Sequence, residues 1–234
     1  VQNVRLRGLL ELSRKVNNPT AFEAITRCER CHTMISLEPD EVDCRFERLG
    51  ISNRFTEEEK SDLKTISIVS LEERVIAFPT PRANAGLNIL KLRQIRGTDR
   101  LQQPAFFDHP WYLEERFATE DCAPGWHFLH MNVLPDTIFQ PINYASSLQP
   151  RGLGLPSAIE VTLMLFLHCA GTGEQLLQTK HTWCRDQASL DRFVTIGAFG
   201  RNGLFVSGQP RSYASRGLGN CAKLMDESVR ATSG

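Results

Sequence analysis

The chain has 234 residues, enough for one large domain or for a domain with a smaller partner. Its hydrophobic content of 41% and charged content of 23% are ordinary for a globular protein. The 27 basic and 27 acidic residues give a formal net charge of zero, whereas nucleic-acid-binding proteins usually carry a basic excess. Composition therefore argues against nucleic acid as the main partner.

Hydropathy and cysteine usage bear on the compartment. The longest apolar run lies within 161–170, which is about half of the roughly 20 residues that a membrane helix needs. The seven cysteines are scattered rather than arranged as a disulfide framework, which favours reduced thiols. We therefore predict a cytoplasmic protein without a membrane span, although a chain that begins at Val1 leaves open the cleavage of a leader.

The first third of the chain is predicted to be helical. A second helix begins at Pro39 and ends at Gly50, and a capping box formed by Thr56 and Glu59 begins a third that runs towards Leu63. The first helix is indicated by five residues at helical spacing on one face: Ala21, Ile25, Cys28, His32 and Ile35.

From Lys64 the pattern changes to strands and loops. Strands are predicted at 66–69 and at 74–78, the second ending at the breaker Pro79-Thr80-Pro81. Segment 86–95 fits neither a strand period nor a helix period. Residues 125–133 alternate as a strand, and the stretch 135–154, rich in proline, serine, asparagine and glycine, is predicted to be a long loop or domain joint.

The clearest local pattern begins at Ser157. Ser157 and Glu160 form a capping box, an apolar run follows, and Gly171-Thr172-Gly173 ends the helix. Because this helix is apolar on almost every side, it must be buried. A strand at 180–186 and a hairpin of 192–199 with 204–208 come next, and the tail after Gly208 is predicted to be irregular.

Taken together, these patterns predict an α+β fold. Residues 1–63 form a helical N-terminal part, and residues 64–234 form a mainly antiparallel sheet packed against one buried helix. The two parts could also make one continuous domain.

One segment matches a motif with a known mechanism, Cys28-Glu29-Arg30-Cys31-His32. C-x-x-C-H is the attachment site of a c-type haem, in which two thiols bond the vinyl groups and the histidine binds iron. On a helix the same three ligands lie within one turn and could instead bind zinc, with Cys44 as a fourth ligand. The interpretation that we favour places Cys28 and His32 on a buried helix face and involves no cofactor.

A second candidate lies on the strand at 180–186. His181, Cys184 and Asp186 are close in sequence, but on a strand Cys184 and Asp186 face one side and His181 the other. A local triad therefore cannot form. A thiol-dependent enzyme at Cys184 would need a base from elsewhere, such as His127 or His130.

Two further sets could bind anions. Arg151-Gly152-Leu153-Gly154 precedes the buried helix and could hold an anion at the helix N-terminus, although Ser157 and Glu160 already occupy that end. A flexible linker is the simpler interpretation of this segment.

Basic and aromatic residues near the C-terminus could bind single-stranded nucleic acid: Arg201, Arg211, Arg216, Phe205 and Tyr213. Solvated arginines on a hairpin and loop are the simpler interpretation of this set.

Short motifs follow one another in a distinctive order between Glu38 and Gly219: Pro110-Trp111-Tyr112, Gly125-Trp126-His127, Pro156-Ser157-Ala158, Thr172-Gly173-Glu174, Val194-Thr195-Ile196-Gly197, Gly203-Leu204 and Gly217-Leu218-Gly219. In this order they resemble a family of bacterial hypothetical proteins without an assigned activity. The resemblance implies one bacterial α+β unit, and it implies no activity.

Because no catalytic set converges in the sequence, we predict a non-enzymatic binding or interaction protein that acts through a protein partner or through self-association. Two alternatives stay open. One is a metal- or haem-containing protein that uses Cys28, Cys31 and His32, and the other is a thiol-dependent enzyme that uses Cys184.

Overall fold

The computed structural model describes residues 35–63 and 74–225. Its α-helices are α1 (Pro39–Leu49), α2 (Glu57–Asp62), α3 (Ile89–Arg96), α4 (Arg116–Thr119) and α5 (Ala158–Thr172). Shorter 3-10 helical segments cover Pro110–Tyr112, Pro135–Thr137 and Ile142–Arg151. The strands are β1 (Ile35–Ser36), β2 (Val75–Thr80), β3 (Gly125–His130), β4 (Leu153–Gly154), β5 (His181–Ala188), β6 (Arg192–Gly200), β7 (Gly203–Pro210), β8 (Leu218–Gly219) and β9 (Lys223–Leu224).

The strands form two sheets. The first has the order β1-β2-β3-β9-β4, and the second has the order β7-β6-β5-β8. The pairs β1–β2 and β5–β8 are parallel, and the other pairs are antiparallel. Together with the helices, these mainly antiparallel sheets confirm the predicted α+β class.

Helix α5 is the centre of the fold, as its sequence predicts. Its residues from Ala158 to Cys169 are all buried, and they pack against strands of both sheets and against α1 and α3. The capping box is present, since Ser157 Oγ accepts from the Glu160 amide and the Glu160 carboxylate accepts from the Ser157 amide. A helix without a polar face is stable here because protein surrounds it on all sides.

Several predicted elements are confirmed with small changes of boundary. Helix α1 ends at Gly50, which has a φ of 74° and therefore suits glycine. Helix α2 has its capping box at Thr56. The ambiguous stretch 86–95 contains α3, whose N-cap Asn88 accepts a hydrogen bond from the Lys91 amide at 2.9 Å. The hairpin β6–β7 forms as predicted.

Other predictions were wrong where tertiary pairing overrides a local pattern. Ile35 belongs to a strand and not to a helix, because it pairs with Ile76 in parallel. Strand β2 runs through Pro79, which lies opposite Trp126 of β3. The tail after Gly208 is not wholly irregular, because β8 joins the second sheet and β9 is inserted between β3 and β4 of the first.

The segment 135–154 also differs from the predicted loop. Most of it is 3-10 helical, and it ends in β4. Leu148 and Leu153 are buried in an apolar cluster with Val75 and Phe128, so this segment covers the face of the first sheet that α5 does not. Burial of these leucines explains why a stretch rich in loop-forming residues is ordered.

Some predictions fall on other parts of the chain. The first predicted helix lies outside the described residues up to His32, and this part contains Cys28 and Cys31. The predicted strand 66–69 also lies outside them. The boundary at 63/64 stays a prediction. Within 35–63 and 74–225, no helix combines the length and the apolar character that a membrane crossing requires.

Candidate functional site

A buried network of charged side chains lies at the N-terminal end of α5. Glu160 Oε1 lies 3.0 Å from His127 Nδ1 and 2.5 Å from Lys223 Nζ, while Oε2 accepts the Ser157 amide at 2.7 Å. The side chains of His127 and Glu160 are 2% and 1% exposed. Strand β3, helix α5 and strand β9 each contribute one side chain, so the network links three elements that are distant in sequence.

The second ring nitrogen of His127 also faces acceptors. Its Nε2 lies 3.0 Å from the Ala123 carbonyl oxygen and 3.0 Å from Thr80 Oγ1. The Thr80 hydroxyl donates its own proton to the same carbonyl at 2.6 Å. A carbonyl and a carboxylate can only accept hydrogen bonds, so each ring nitrogen of His127 faces an acceptor.

Charge compensation decides the ionisation of Glu160. Burial by itself would raise the pKa of this carboxyl group, but the hydrogen bond and charge of His127, with the charge of Lys223, outweigh burial and hold the pKa well below its usual range. Glu160 is therefore a buried carboxylate that is paired and hydrogen-bonded at both oxygens.

Cys122 adds a thiol to this network. Its Sγ lies 3.7 Å from His127 Nε2, so Cys122, His127 and Glu160 follow the thiol, imidazole and carboxylate order of thiol hydrolases. The thiol, however, is fully buried, and burial together with the Glu160 charge raises its pKa. Burial and the raised pKa disfavour Cys122 as a nucleophile, and the contact between His127 and Glu160 holds α5 against β3.

The environment of Cys184 disfavours the predicted thiol enzyme. Cys184 is fully buried, and burial raises the pKa of its thiol well above the usual value. The bases considered for it have other partners, since His127 binds Glu160 and His130 Nδ1 lies 2.9 Å from the Ala222 carbonyl oxygen. Asp186 accepts the Ala158 amide at 2.6 Å and so supports the start of α5.

The predicted metal or haem site cannot be placed in the structure. Cys28, Cys31 and His32 lie outside the described residues, and Cys44, the fourth candidate ligand, is exposed on α1. Over the described ranges, no group of three or more histidine, cysteine, aspartate or glutamate side chains could hold a metal ion. Zinc or haem at Cys28 to His32 stays a prediction from the sequence.

A groove of about 500 Å³ opens between the 3-10 segment Ile142–Arg151 and the face of β5 and β6 that points away from α5. We call it the arginine groove. Apolar groups form part of its wall, and amide, hydroxyl and guanidinium groups form the rest. Its lining residues are Ile142, Asn143, Ala145, Ser146, Gln149, Gly154, Leu155, Arg185, Phe193 and Arg211.

Two arginines give the groove its charge. Arg185 is exposed on β5, and it lines both the arginine groove and a second cavity of about 360 Å³ beside α4. The guanidinium carbon of Arg211 lies 5.0 Å from the centre of the Phe193 ring. Neither guanidinium forms an ion pair with a described carboxylate, although the charge of Arg185 acts on the neighbouring Asp186, where burial raises the pKa of the carboxyl group and Arg185 opposes that rise.

The other predicted anion sites do not form as units. Arg151 pairs with Asp136 at 2.8 Å, and the N-terminus of α5 is occupied by Ser157, Glu160 and Asp186. Phe205 packs against aromatic rings rather than against arginine: Phe107, His109 and His181. Of the basic and aromatic set near the C-terminus, Arg211 is the member that lines the groove.

Sequence reasoning missed two important residues. Lys223 lies in the tail that was predicted to be irregular, and nothing local marks it as the partner of Glu160. Arg185 lies between Cys184 and Asp186 on the predicted strand, where no sequence pattern marks it, and the bulge between Trp183 and Gln187 turns it towards the groove. One signal in the sequence could have indicated such a partner. Glu160 belongs to the capping box of a helix that must be buried, and a buried carboxylate needs a cationic partner.

No protein-family model, curated protein or solved structure matches this chain. The arginine groove and the buried network are therefore the features of the chain that bear on its function.

Proposed function

We propose that this chain is a non-enzymatic binding protein whose arginine groove receives an acidic segment of a protein partner. The observation that carries the proposal is the pair Arg185 and Arg211, neither of which forms an ion pair with a described carboxylate and both of which line a partly apolar groove. Guanidinium groups of this kind favour carboxylates, with which they form bidentate hydrogen bonds.

The remaining wall of the groove supports a peptide rather than a bare ion as the ligand. Ile142, Leu155 and Phe193 offer apolar surface to a side chain that follows the acidic residue. Asn143 and Gln149 can both donate to and accept from a peptide backbone. The zero net charge argues against the phosphate backbone of a nucleic acid, whose binding depends on many basic contacts.

The burial of the two candidate thiols in the described part of the chain supports a binding role over thiol catalysis. The thiols of Cys122 and Cys184 are buried, and burial raises the pKa of each. The free state of the five described cysteines also supports a reducing, cytoplasmic setting as part of this proposal.

Peptide binding tests the proposal. Fluorescein-labelled peptides in which aspartate alternates with leucine should bind the protein, and matched peptides with lysine in place of aspartate should not. The double variant Arg185→Glu/Arg211→Glu should weaken binding about tenfold or more, because two charge-assisted contacts become repulsive.

The control is Arg201→Glu/Arg216→Glu, which makes the same change of charge at two exposed arginines outside the groove. It should leave the affinity for the acidic peptide nearly unchanged. Equal binding of the lysine peptides, or equal losses in the two double variants, would show that the groove does not select an acidic segment.

A second candidate function rests on the motif Cys28-Glu29-Arg30-Cys31-His32, for which we propose zinc or a single c-type haem as the alternative ligand. An absorption spectrum of natively produced protein, with elemental analysis for iron and zinc, tests it. A Soret band or stoichiometric metal that is lost in Cys31→Ser would support a cofactor. A colourless and metal-free protein would reject it.

A further inference from the structure

The hairpin tip between β5 and β6 presents an unusual surface. Leu190 is 85% exposed, and both Leu190 and Asp191 have positive φ values, 59° and 51°. Two consecutive residues with positive φ form the tight turn of a β-hairpin, and aspartate is among the residues that tolerate this region. The unusual feature of the tip is therefore the large apolar side chain that it exposes next to a carboxylate.

The tip is held in place by a neighbouring element. Glu115, which precedes α4, accepts hydrogen bonds from both the amide and the hydroxyl of Ser189, the first at 2.9 Å. Such an anchored turn loses little conformational entropy when a partner binds it. We define the tip as residues 189–191.

The chemistry of the tip matches that of the arginine groove. Leu190 would supply an apolar side chain to the wall formed by Ile142, Leu155 and Phe193, and the Asp191 carboxylate would supply the anion for the unpaired arginines. The formal net charge of zero means that two copies of the chain do not repel each other at long range.

Some exposed apolar side chains are neighbours of residues that line the groove. Of the five large apolar side chains that are exposed among the described residues, three are close to lining residues in sequence or in space: Leu190, Tyr213 and Met225. Met225 packs on Gly154, which lines the groove, and Tyr213 follows Arg211 by two residues. Leu190 precedes Phe193 by three residues.

We propose that the arginine groove of one protomer receives the hairpin tip 189–191 of a second copy of this chain. The proposal rests on the proposed function of the groove and names its partner. Tip and groove belong to the same hairpin, and Leu190 lies within roughly 10 Å of Phe193 along the strand. A two-fold axis can therefore place each tip in the other protomer's groove, which is the reciprocal contact of a symmetric dimer.

Charge exchange between copies tests this contact. Asp191→Lys and Arg185→Glu/Arg211→Glu should each be monomeric in sedimentation velocity. In the first variant a lysine would face the two arginines, and in the second Asp191 would face two glutamates, so like charges repel in both. An equimolar mixture of the two variants should form heterodimers. The Asp191→Lys protomer then places its lysine in a groove that contains two glutamates, and the other protomer places its Asp191 in a groove that retains both arginines. If the mixture stays monomeric while the wild type dimerises, the tip does not occupy the groove.

A matched pair of apolar variants tests the role of Leu190. Leu190→Asp should raise the dimer dissociation constant about tenfold or more, as expected for the loss of a central apolar anchor. Leu101→Asp, at an 86% exposed leucine away from the groove, should leave it unchanged. Equal effects of the two substitutions would overturn the proposal.

The wild-type chain gives the decisive result. A monomer at every concentration up to the high micromolar range would reject self-association. Binding of the alternating aspartate–leucine peptide to such a monomer would leave the proposed function intact, whereas loss of both properties would reject the groove as a binding site.

Discussion

His127 Nδ1 lies 3.0 Å from Glu160 Oε1 in the interior of the protein, with both side chains at most 2% exposed. Lys223 completes the arrangement from a strand near the end of the described chain, and its side chain is 21% exposed. Separated charges of this kind would be costly to bury, but paired and hydrogen-bonded charges are tolerated. The network therefore fixes the N-terminal end of α5 against both β3 and β9.

Removal of the central carboxylate should be strongly destabilising. Glu160→Gln retains the shape and the capping contacts but leaves Lys223 and His127 without their anion, so we expect a loss of about 3–5 kcal/mol in the free energy of unfolding. Urea denaturation measures this value. Glu120→Gln is the control, because Glu120 pairs with the exposed Arg116 at the surface and should cost about 1 kcal/mol or less. Similar losses in both variants would contradict a structural role for the network.

The same carboxylate predicts a specific dependence of stability on pH. The folded-state pKa of Glu160 lies well below its ordinary value of 4.5, so the unfolded chain binds the proton more readily. Its contribution is fully present above about pH 4.5 and is lost as the pH falls through the folded-state pKa. The wild type should therefore lose stability in acid more steeply than Glu160→Gln. Denaturation curves from pH 6 to about pH 3 measure both slopes, and parallel slopes would refute the prediction.

Thiol reactivity should follow burial. Cys44 is exposed on α1, whereas Cys122, Cys184 and Cys221 are fully buried. Burial raises the pKa of Cys221 to about 12 and raises the pKa of the other two as well. We expect N-ethylmaleimide at neutral pH to modify Cys44 within minutes and the three buried thiols only after denaturation, as measured by peptide mass spectrometry. Rapid modification of Cys184 in the native protein would revive the thiol-enzyme hypothesis.

A glycine on β6 should be indispensable for the second sheet. At Gly197 an added Cβ would lie 2.6 Å from His181 Cα on β5 and would also meet the Lys180 carbonyl, and backbone atoms cannot yield as a flexible side chain can. Gly197→Ala should therefore cost about 2 kcal/mol or more. Gly200→Ala on the same strand is the control, since no atom lies within 4 Å of the added Cβ there. Thermal unfolding compares the two variants. Equal melting temperatures would show that β5 and β6 can move apart to admit the added Cβ at Gly197 without a loss of stability.

Patterns that depend on a few neighbouring residues were predicted well. The capping boxes at Thr56 and Ser157 and the buried helix α5 are all present. Each depends on hydrogen bonds or burial within one short segment, so the local sequence contains the information. The alternation of β3 also holds, with His127 and Leu129 facing one side and Phe128 the other.

The candidate site was predicted poorly, for a physical reason. Glu160 and Lys223 are 63 residues apart, and they meet because β9 enters the first sheet between β3 and β4. The groove likewise combines a 3-10 segment, two strands and Arg211 after β7. No local period or motif encodes such a meeting.

The sequence by itself therefore determined the α+β class, the buried helix with its caps and the β6–β7 hairpin, because helix caps, hydrophobic periods and turns act over a few residues. Only the tertiary structure decided that Glu160 is held by His127 and Lys223, and that Arg185 and Arg211 share one groove. Charges act through space, and their partners are set by how the strands are ordered in the sheets.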